Sequence, residues 1–353
     1  MNRLPVVLLA ILALTGLNSC SDLAYYRQSI TGHLRIIQSS RPIEDILSDP
    51  GQRAELKTRL VTAMQIRAFA RDTLQLPTGN SYLEYADTER RHVLWNVVAA
   101  PEFSLEPLKW CFPVVGCLSY RGYFSKDSAD QYSSALVAQG LDVNISGVTA
   151  YSTLGWFDDP VMNTMLNYDD AFLAKVMFHE LAHRLLYFKG DTEFNEAFAD
   201  AIAEFGVRTW LQSIGRPAAI RDFESSLARQ SDFLNLVTGY KDRLDTLYKS
   251  GVDADQMRAV KSGYFRQMQE DYLGLRQSWG GVGEYDTWFE NNLNNAKLAL
   301  VLTYRELVPG FNRLLEQYRD NLPAFYHLLE SMEACDAGIR RAFLAGKIPI
   351  PEC

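Results

Sequence analysis

The sequence predicts an α+β chain that is predominantly α-helical, with a small sheet ahead of a helix carrying two histidines four residues apart. Helical periodicity runs through Ala24–Leu76 and again from residue 169 to about residue 345. Between them, residues 82–155 hold two short β-type runs set among Gly and Pro. The 353 residues are 47% apolar and 22% charged, with 22 Gly and 13 Pro, which excludes a disordered or collagen-like chain. A formal charge of −8 and the lack of a Lys/Arg-rich stripe argue against nucleic acid as a partner.

Taken in order, residues 1–19 read as a leader. Arg3 supplies a positive start, and Pro5–Leu14 is an apolar run too short to span a bilayer comfortably. It ends in Leu17-Asn18-Ser19-Cys20, which resembles the lipobox of bacterial lipoproteins and implies that Cys20 becomes the acylated first residue. Ser21 stands where lipoproteins kept in the inner membrane often carry Asp. By that likeness the expected location is the bacterial cell envelope, lipid-anchored on the outer membrane and facing the periplasm. Losing residues 1–19 removes Arg3 and no acid, so the remainder is one charge more negative than −8.

Four cysteines follow: Cys111, Cys117, Cys335 and Cys353. An even count in an exported chain suggests two disulfides, and closeness in sequence favours Cys111–Cys117 and Cys335–Cys353 among the three possible pairings. No C-x2-C pair exists, so a zinc ribbon is excluded.

The segment 20–80 is expected to be helical. A long amphipathic stretch from Gln52 to Thr73 places Leu56, Leu60, Ala63, Met64 and Phe69 on one face, as core residues, and ends before Pro77. Residues 82–160 are expected to form a small sheet with loops on the substrate side. Val93–Val98 and Leu141–Ile145 are its strands, the second a half-buried or edge strand, with a short helix across Ser128–Gln139. Residues 169–211 supply two helices, and 212–353 continue helical, with 211–285 as solvated helices wrapping the core. Residues 20–353 are expected to make a single domain.

The chemistry concentrates in Phe178-His179-Glu180-Leu181-Ala182-His183, within the amphipathic stretch Asp170–Phe188 headed by Asp169. Residues four apart share a helix face, so His179 and His183 can grip one ion, and Glu180 can reach water bound to it. This is the H-E-x-x-H arrangement of zinc metallopeptidases. Phe194–Asp200 opens a second helix, where Glu196, 13 residues after His183, is the candidate third ligand of Zn²⁺. Asp200, one turn on, can hold the other ring nitrogen of a ligand histidine. Glu193 and Glu204 are weaker acids for the ligand role. His33, His92 and His327 lack metal spacing and read as surface or core residues.

His179-Glu-Leu-Ala-His183 with Asn195-Glu196-Ala-Phe-Ala-Asp200 resembles the gluzincin pattern, in which thermolysin-like enzymes carry Asn-Glu-x-x-Ser-Asp; here Ala199 replaces the Ser and the intervening segment is shorter. Over about residues 20–345 the chain is most similar to a family of bacterial aminopeptidase-type lipoproteins, through Gly116–Phe124, Ala150–Phe157, the zinc segment and Asn294-Asn295-Ala296. That resemblance implies a zincin-like fold, a peptide or protein substrate, and Asn195 beside Asp200 behind the ligands.

In the expected reaction Glu180 is the general base. Tyr151, Tyr304 and Tyr120 are candidate donors to the developing oxyanion. Tyr151–Gly155, with Ser152, is a candidate edge strand for an extended substrate. Arg121 would bind a substrate carboxylate or pair with an acid. Alternatives are an endopeptidase, a cell-wall peptide hydrolase, and a non-catalytic zinc-binding envelope lipoprotein.

Overall fold

The computed structural model describes residues 20–112, 116–150, 158–290, 292–301 and 306–353. The leader, Tyr151, Ser152, Gly155 and Tyr304 therefore lie outside the described residues. Helices dominate and the strands are short, so the protein is α+β and predominantly helical.

The N-terminal part holds α1 (Cys20–Ser39), β1 (Ser40–Pro42), α2 (Ile43–Ser48) and α3 (Ala54–Asp72). The middle holds β2 (Glu84–Ala86), β3 (Leu94–Pro101), β4 (Trp110–Phe112), β5 (Gly116–Leu118), β6 (Arg121–Tyr123), α4 (Lys126–Val137), β7 (Leu141–Val148) and β8 (Val161–Met162). The expected single small sheet is instead, among the described residues, two three-stranded sheets, β1-β2-β8 and β6-β3-β7, and a β4-β5 ribbon. Strands of two or three residues show no alternation to read, and β1, β2 and β8 meet only through long-range pairing.

The two strands expected from sequence do pair. β3 and β7 run antiparallel from Leu94↔Val148 to Pro101↔Leu141, with β7 at the edge of its sheet. Cys111 and Cys117 face each other across the β4-β5 ribbon and are disulfide-bonded, as are Cys335 and Cys353.

Then follow α5 (Asp170–Leu185) and α6 (Thr192–Ser213), the most closely packed pair of helices. Asp169 caps α5, its carboxylate accepting from the Phe172 N–H at 2.7 Å, and Arg59 of α3 pairs with Asp170. The main core lies between α3, α5, α6 and the C-terminal helices α11 (Val308–Tyr318), α12 (Leu322–Glu330) and α13 (Ala337–Leu344). Phe178, Phe194, Phe198, Phe311 and Phe325 are all fully buried there. Gly206 lets α6 approach α5: a Cβ there would stand 2.6 Å from the Phe178 ring and 2.7 Å from Leu74.

α7 (Pro217–Tyr248) and α8 (Ala254–Ser278) correct another expectation. The start of α7 packs on the main core through Phe223, with Ala219, Ile220 and Leu227, but the rest of α7 and α8 pack on each other around an aromatic cluster of their own, including Phe233, Tyr240, Phe265 and Tyr272. Phe289, on the short α9 (Asp286–Glu290), stacks on Tyr272 at 4.0 Å. Asn294 and Asn295, leading into α10 (Asn295–Val301), join this part to the sheet. Asn295 donates from its side chain to Pro101 O (3.1 Å) and Glu102 O (2.9 Å), and from its backbone to Asp142 (3.0 Å); Asn294 donates to Val143 O (2.9 Å).

Candidate metal centre

One turn of α5 separates His179 from His183, and α6 lays Glu196 across both. His183 Nε2 stands 3.2 Å from His179 Nε2 and 3.5 Å from Glu196 Oε1, and His179 Nε2 stands 3.4 Å from Glu196 Oε2. Ligand atoms about 2.0–2.1 Å from a tetrahedral zinc stand about 3.3 Å from one another, so this donor set fits that ion. Among the described residues these three side chains form the only cluster of metal-ligand type. His183 is 4% exposed at its side chain, against 20% for His179 and 33% for Glu196, so the cluster opens to solvent on one side.

Asp200 lies one turn beyond Glu196 and holds His179 Nδ1 at 3.2 Å, which directs Nε2 at the cluster. Burial opposes charge on the His179 ring, but Asp200, Glu196 and Glu180 together raise its pKa to about 10. Burial likewise opposes charge on Glu196, yet its hydrogen bonds to His179 and His183 hold the carboxyl well below the usual range. In the bare fold a proton thus sits where a cation would bind.

Asn195 is not brought to the ligands. Its buried amide accepts from Phe188 N–H and donates to Phe188 O, both at 2.8 Å, so it braces the turn between α5 and α6. Asp191 heads α6 in the same turn and receives Arg340 of α13 at 2.6 Å in a buried pair. Glu193 pairs with Arg341, and Glu204 is buried near Arg208, which leaves neither in the ligand cluster.

Arg121 is also elsewhere. Its guanidinium lies over the ring of Tyr25 (4.0 Å) and near Tyr132 (4.8 Å), buried on β6, and it is not among the described residues lining the cleft at His179. Tyr120, beside it, is 37% exposed and does not line that cleft.

The cleft, about 780 Å³, runs from His179 and Glu180 along the N-terminal half of α5. Tyr168 and Phe172, stacked at 4.2 Å, form one wall with Val176; Leu211, Ile214, Phe223 and Leu227 form another. Lys175, one turn before His179, also lines it. Phe172, Lys175 and Val176 were legible as the His179 face of the helix. The α7 wall had no signal in the sequence.

Tyr82 is a second residue that sequence reasoning missed. It is buried, with φ +63°, a left-handed conformation that bulky residues avoid, and its N–H donates to Asp159 O at 2.7 Å. Burial, and then the charges of Glu180 and Asp159, push its hydroxyl well above the usual tyrosine range. Arg184, one turn past Glu180, donates to Ser81 Oγ and pairs with Asp158 at 3.6 Å. The described ends of the segment that contains Tyr151, Ala150 and Asp158, therefore both lie beside α5.

A family described as "Putative aminopeptidase" has a model that matches residues 24–344 of this chain. No curated protein and no solved structure matches it.

Proposed function

The chain belongs to that aminopeptidase family, and from this premise we propose that it is a zinc-dependent peptidase of the bacterial cell envelope with a zincin-like catalytic core. The observation that carries the zinc reading is the convergence of His179, His183 and Glu196 at 3.2–3.5 Å, with Asp200 behind His179 and Glu180 on the cleft side.

His179 Nε2, His183 Nε2 and the Glu196 carboxylate would hold the ion. When bound, zinc supplies Lewis acidity toward a peptide carbonyl and lowers the pKa of water. Asp200 keeps the His179 proton on Nδ1. Glu180 takes a proton from the attacking water onto its carboxylate and delivers it to the nitrogen of the leaving amine. Tyr82 stays protonated near Glu180 and so can only donate toward it. Tyr151 and Tyr304 remain the proposed donors to the oxyanion, and Tyr151–Gly155 the proposed edge for an extended peptide. The apolar cleft walls bind substrate side chains and exclude water.

In this reading Cys20 is acylated and ties residues 20–353, one domain, to the outer membrane on its periplasmic side. The Cys111–Cys117 and Cys335–Cys353 bonds suit that oxidising compartment.

The test is metal content and peptide turnover in wild type, Glu180→Gln and His183→Ala. One zinc per chain is expected in wild type and Glu180→Gln. Glu180→Gln should lose roughly 10²–10⁴ in turnover, and His183→Ala should lose the metal. Full turnover in zinc-loaded Glu180→Gln would remove Glu180 as base, and wild type without stoichiometric zinc would remove the site. Loss of cleavage on N-acetylation of a peptide marks an aminopeptidase; its survival marks an endopeptidase.

A further inference from the structure

α1 is apolar on two opposite faces, and only one of them is covered by the protein. Its inner face is docked tightly. Ile36 is 4% exposed, a Cβ at Gly32 would overlap the Phe124 ring at 2.2 Å, and Tyr25 packs on Phe112 and Tyr123. The Gln28 amide accepts from Phe124 N–H (2.9 Å) and donates to Gly122 O (3.3 Å), which fixes the rotation of the helix on β6.

The outer face therefore points away from the body by construction. It carries Ile30, Leu34 and Ile37, which are 60%, 47% and 42% exposed. At 100° per residue these three fall within one stripe about 60° wide. Arg27 is exposed at the margin of that stripe and Arg41 is exposed just past the C-terminal end of the helix, in β1, whereas Arg35 lies about 100° round the helix from the stripe. Arg27 before the apolar ridge and Arg41 after it give both ends a positive charge in a chain of net charge −8. An anionic lipid surface matches both properties, since the acyl boundary takes the apolar ridge and the headgroups take the arginines. The position along the chain agrees: α1 starts at Cys20, the expected acylation site, so the helix is the part of the body next to that anchor.

We infer that the outer face of α1 lies in the surface of an anionic bilayer, with Ile30, Leu34 and Ile37 inserted and Arg27 and Arg41 on phosphate headgroups. This contact is additional to an acyl anchor and independent of the peptidase reading. It holds the body in one orientation on the membrane, which a single flexible tether does not.

The test uses residues 20–353 with Cys20→Ser, so that no acyl group contributes. Flotation with vesicles containing phosphatidylglycerol is compared with vesicles of phosphatidylcholine alone. The substitutions are Ile30→Gln/Leu34→Gln/Ile37→Gln in one variant and Arg27→Gln/Arg41→Gln in another, on exposed positions where the thermal midpoint should stay unchanged. Partition onto anionic vesicles should exceed that onto neutral ones, and each variant should lose about tenfold. Wild type that partitions no better than the Ile/Leu variant overturns the inference. So does a concentration-dependent dimer without vesicles that the Ile/Leu variant abolishes, because a second copy would then occupy the face.

Discussion

Asp200 stands outside the His179, His183 and Glu196 cluster, yet it decides which nitrogen of His179 faces that cluster. Its carboxylate at 3.2 Å from Nδ1 leaves Nε2 for the ligand set. Asp200→Ala should weaken zinc binding by about 10–100-fold in a chelator competition while the other ligands stay in place. An unchanged affinity would show that packing alone orients the ring. The same carboxylates govern the metal-free protein. His179 rises from 6.5 to about 10 on folding, so its stabilising contribution is complete below about pH 6.5 and disappears as pH climbs toward about 10. Chelator-treated wild type should therefore lose thermal midpoint across that window more steeply than Asp200→Asn. Zinc must displace the same proton, so its affinity should rise over the same range; a pH-independent affinity would contradict the coupling. His179, Glu180 and His183 were legible because spacing on one helix fixes their relation. Tyr82 was not, because only tertiary packing brings a turn so much earlier in the chain under the influence of the Glu180 charge.

At the scale of elements, the site is a helix pair and its turn. α5 and α6 each present their candidate ligands by ordinary helical periodicity, but the distance between the helices sets the gap from the histidines to Glu196. Gly206 controls that distance, because its missing side chain is where the Phe178 ring sits. Gly206→Ala should destabilise the fold by about 1–3 kcal/mol in denaturant unfolding through overpacking. It should also weaken zinc binding, since Phe178 adjoins His179; full stability would mean that the helices separate freely. The α5 and α6 boundaries were readable from Asp169, Lys189-Gly190-Asp191 and the apolar spacing. Asn195 was misassigned for a physical reason. A buried amide satisfies itself on the nearest free backbone groups, here those of Phe188, and the motif does not record which groups those are. The short strands β1, β2 and β8 were missed because a pair of two or three residues carries no period of its own.

On the scale of the whole molecule, the C-terminus braces the site from behind. Arg340 of α13 enters the α5–α6 turn and binds Asp191, its guanidinium 4.8 Å over the Phe188 ring. Cys353 returns across α13 to Cys335 over a separation of 18 residues. Closing a loop of that length stabilises by about 3 kcal/mol in the chain-entropy account, against about 2 kcal/mol for the shorter Cys111–Cys117 loop. Cys335→Ser/Cys353→Ser should thus lower unfolding free energy more than Cys111→Ser/Cys117→Ser. It should also weaken zinc retention, because α13 holds the turn between the ligand helices. The reverse order in denaturant unfolding would show that the tail does not support the site.

By itself, the sequence determined the fold class, the two helices that carry the candidate metal cluster and the paired cysteines, because each depends on residues near one another in the chain or on one helical face. Tertiary structure alone decided where Arg121 and Asn195 spend their polar groups, how α7 walls the cleft, that Tyr82 is buried within reach of the Glu180 charge, and which face of α1 is left uncovered. Those relations join residues far apart in sequence, and burial and hydrogen-bond satisfaction select them only once the core has closed.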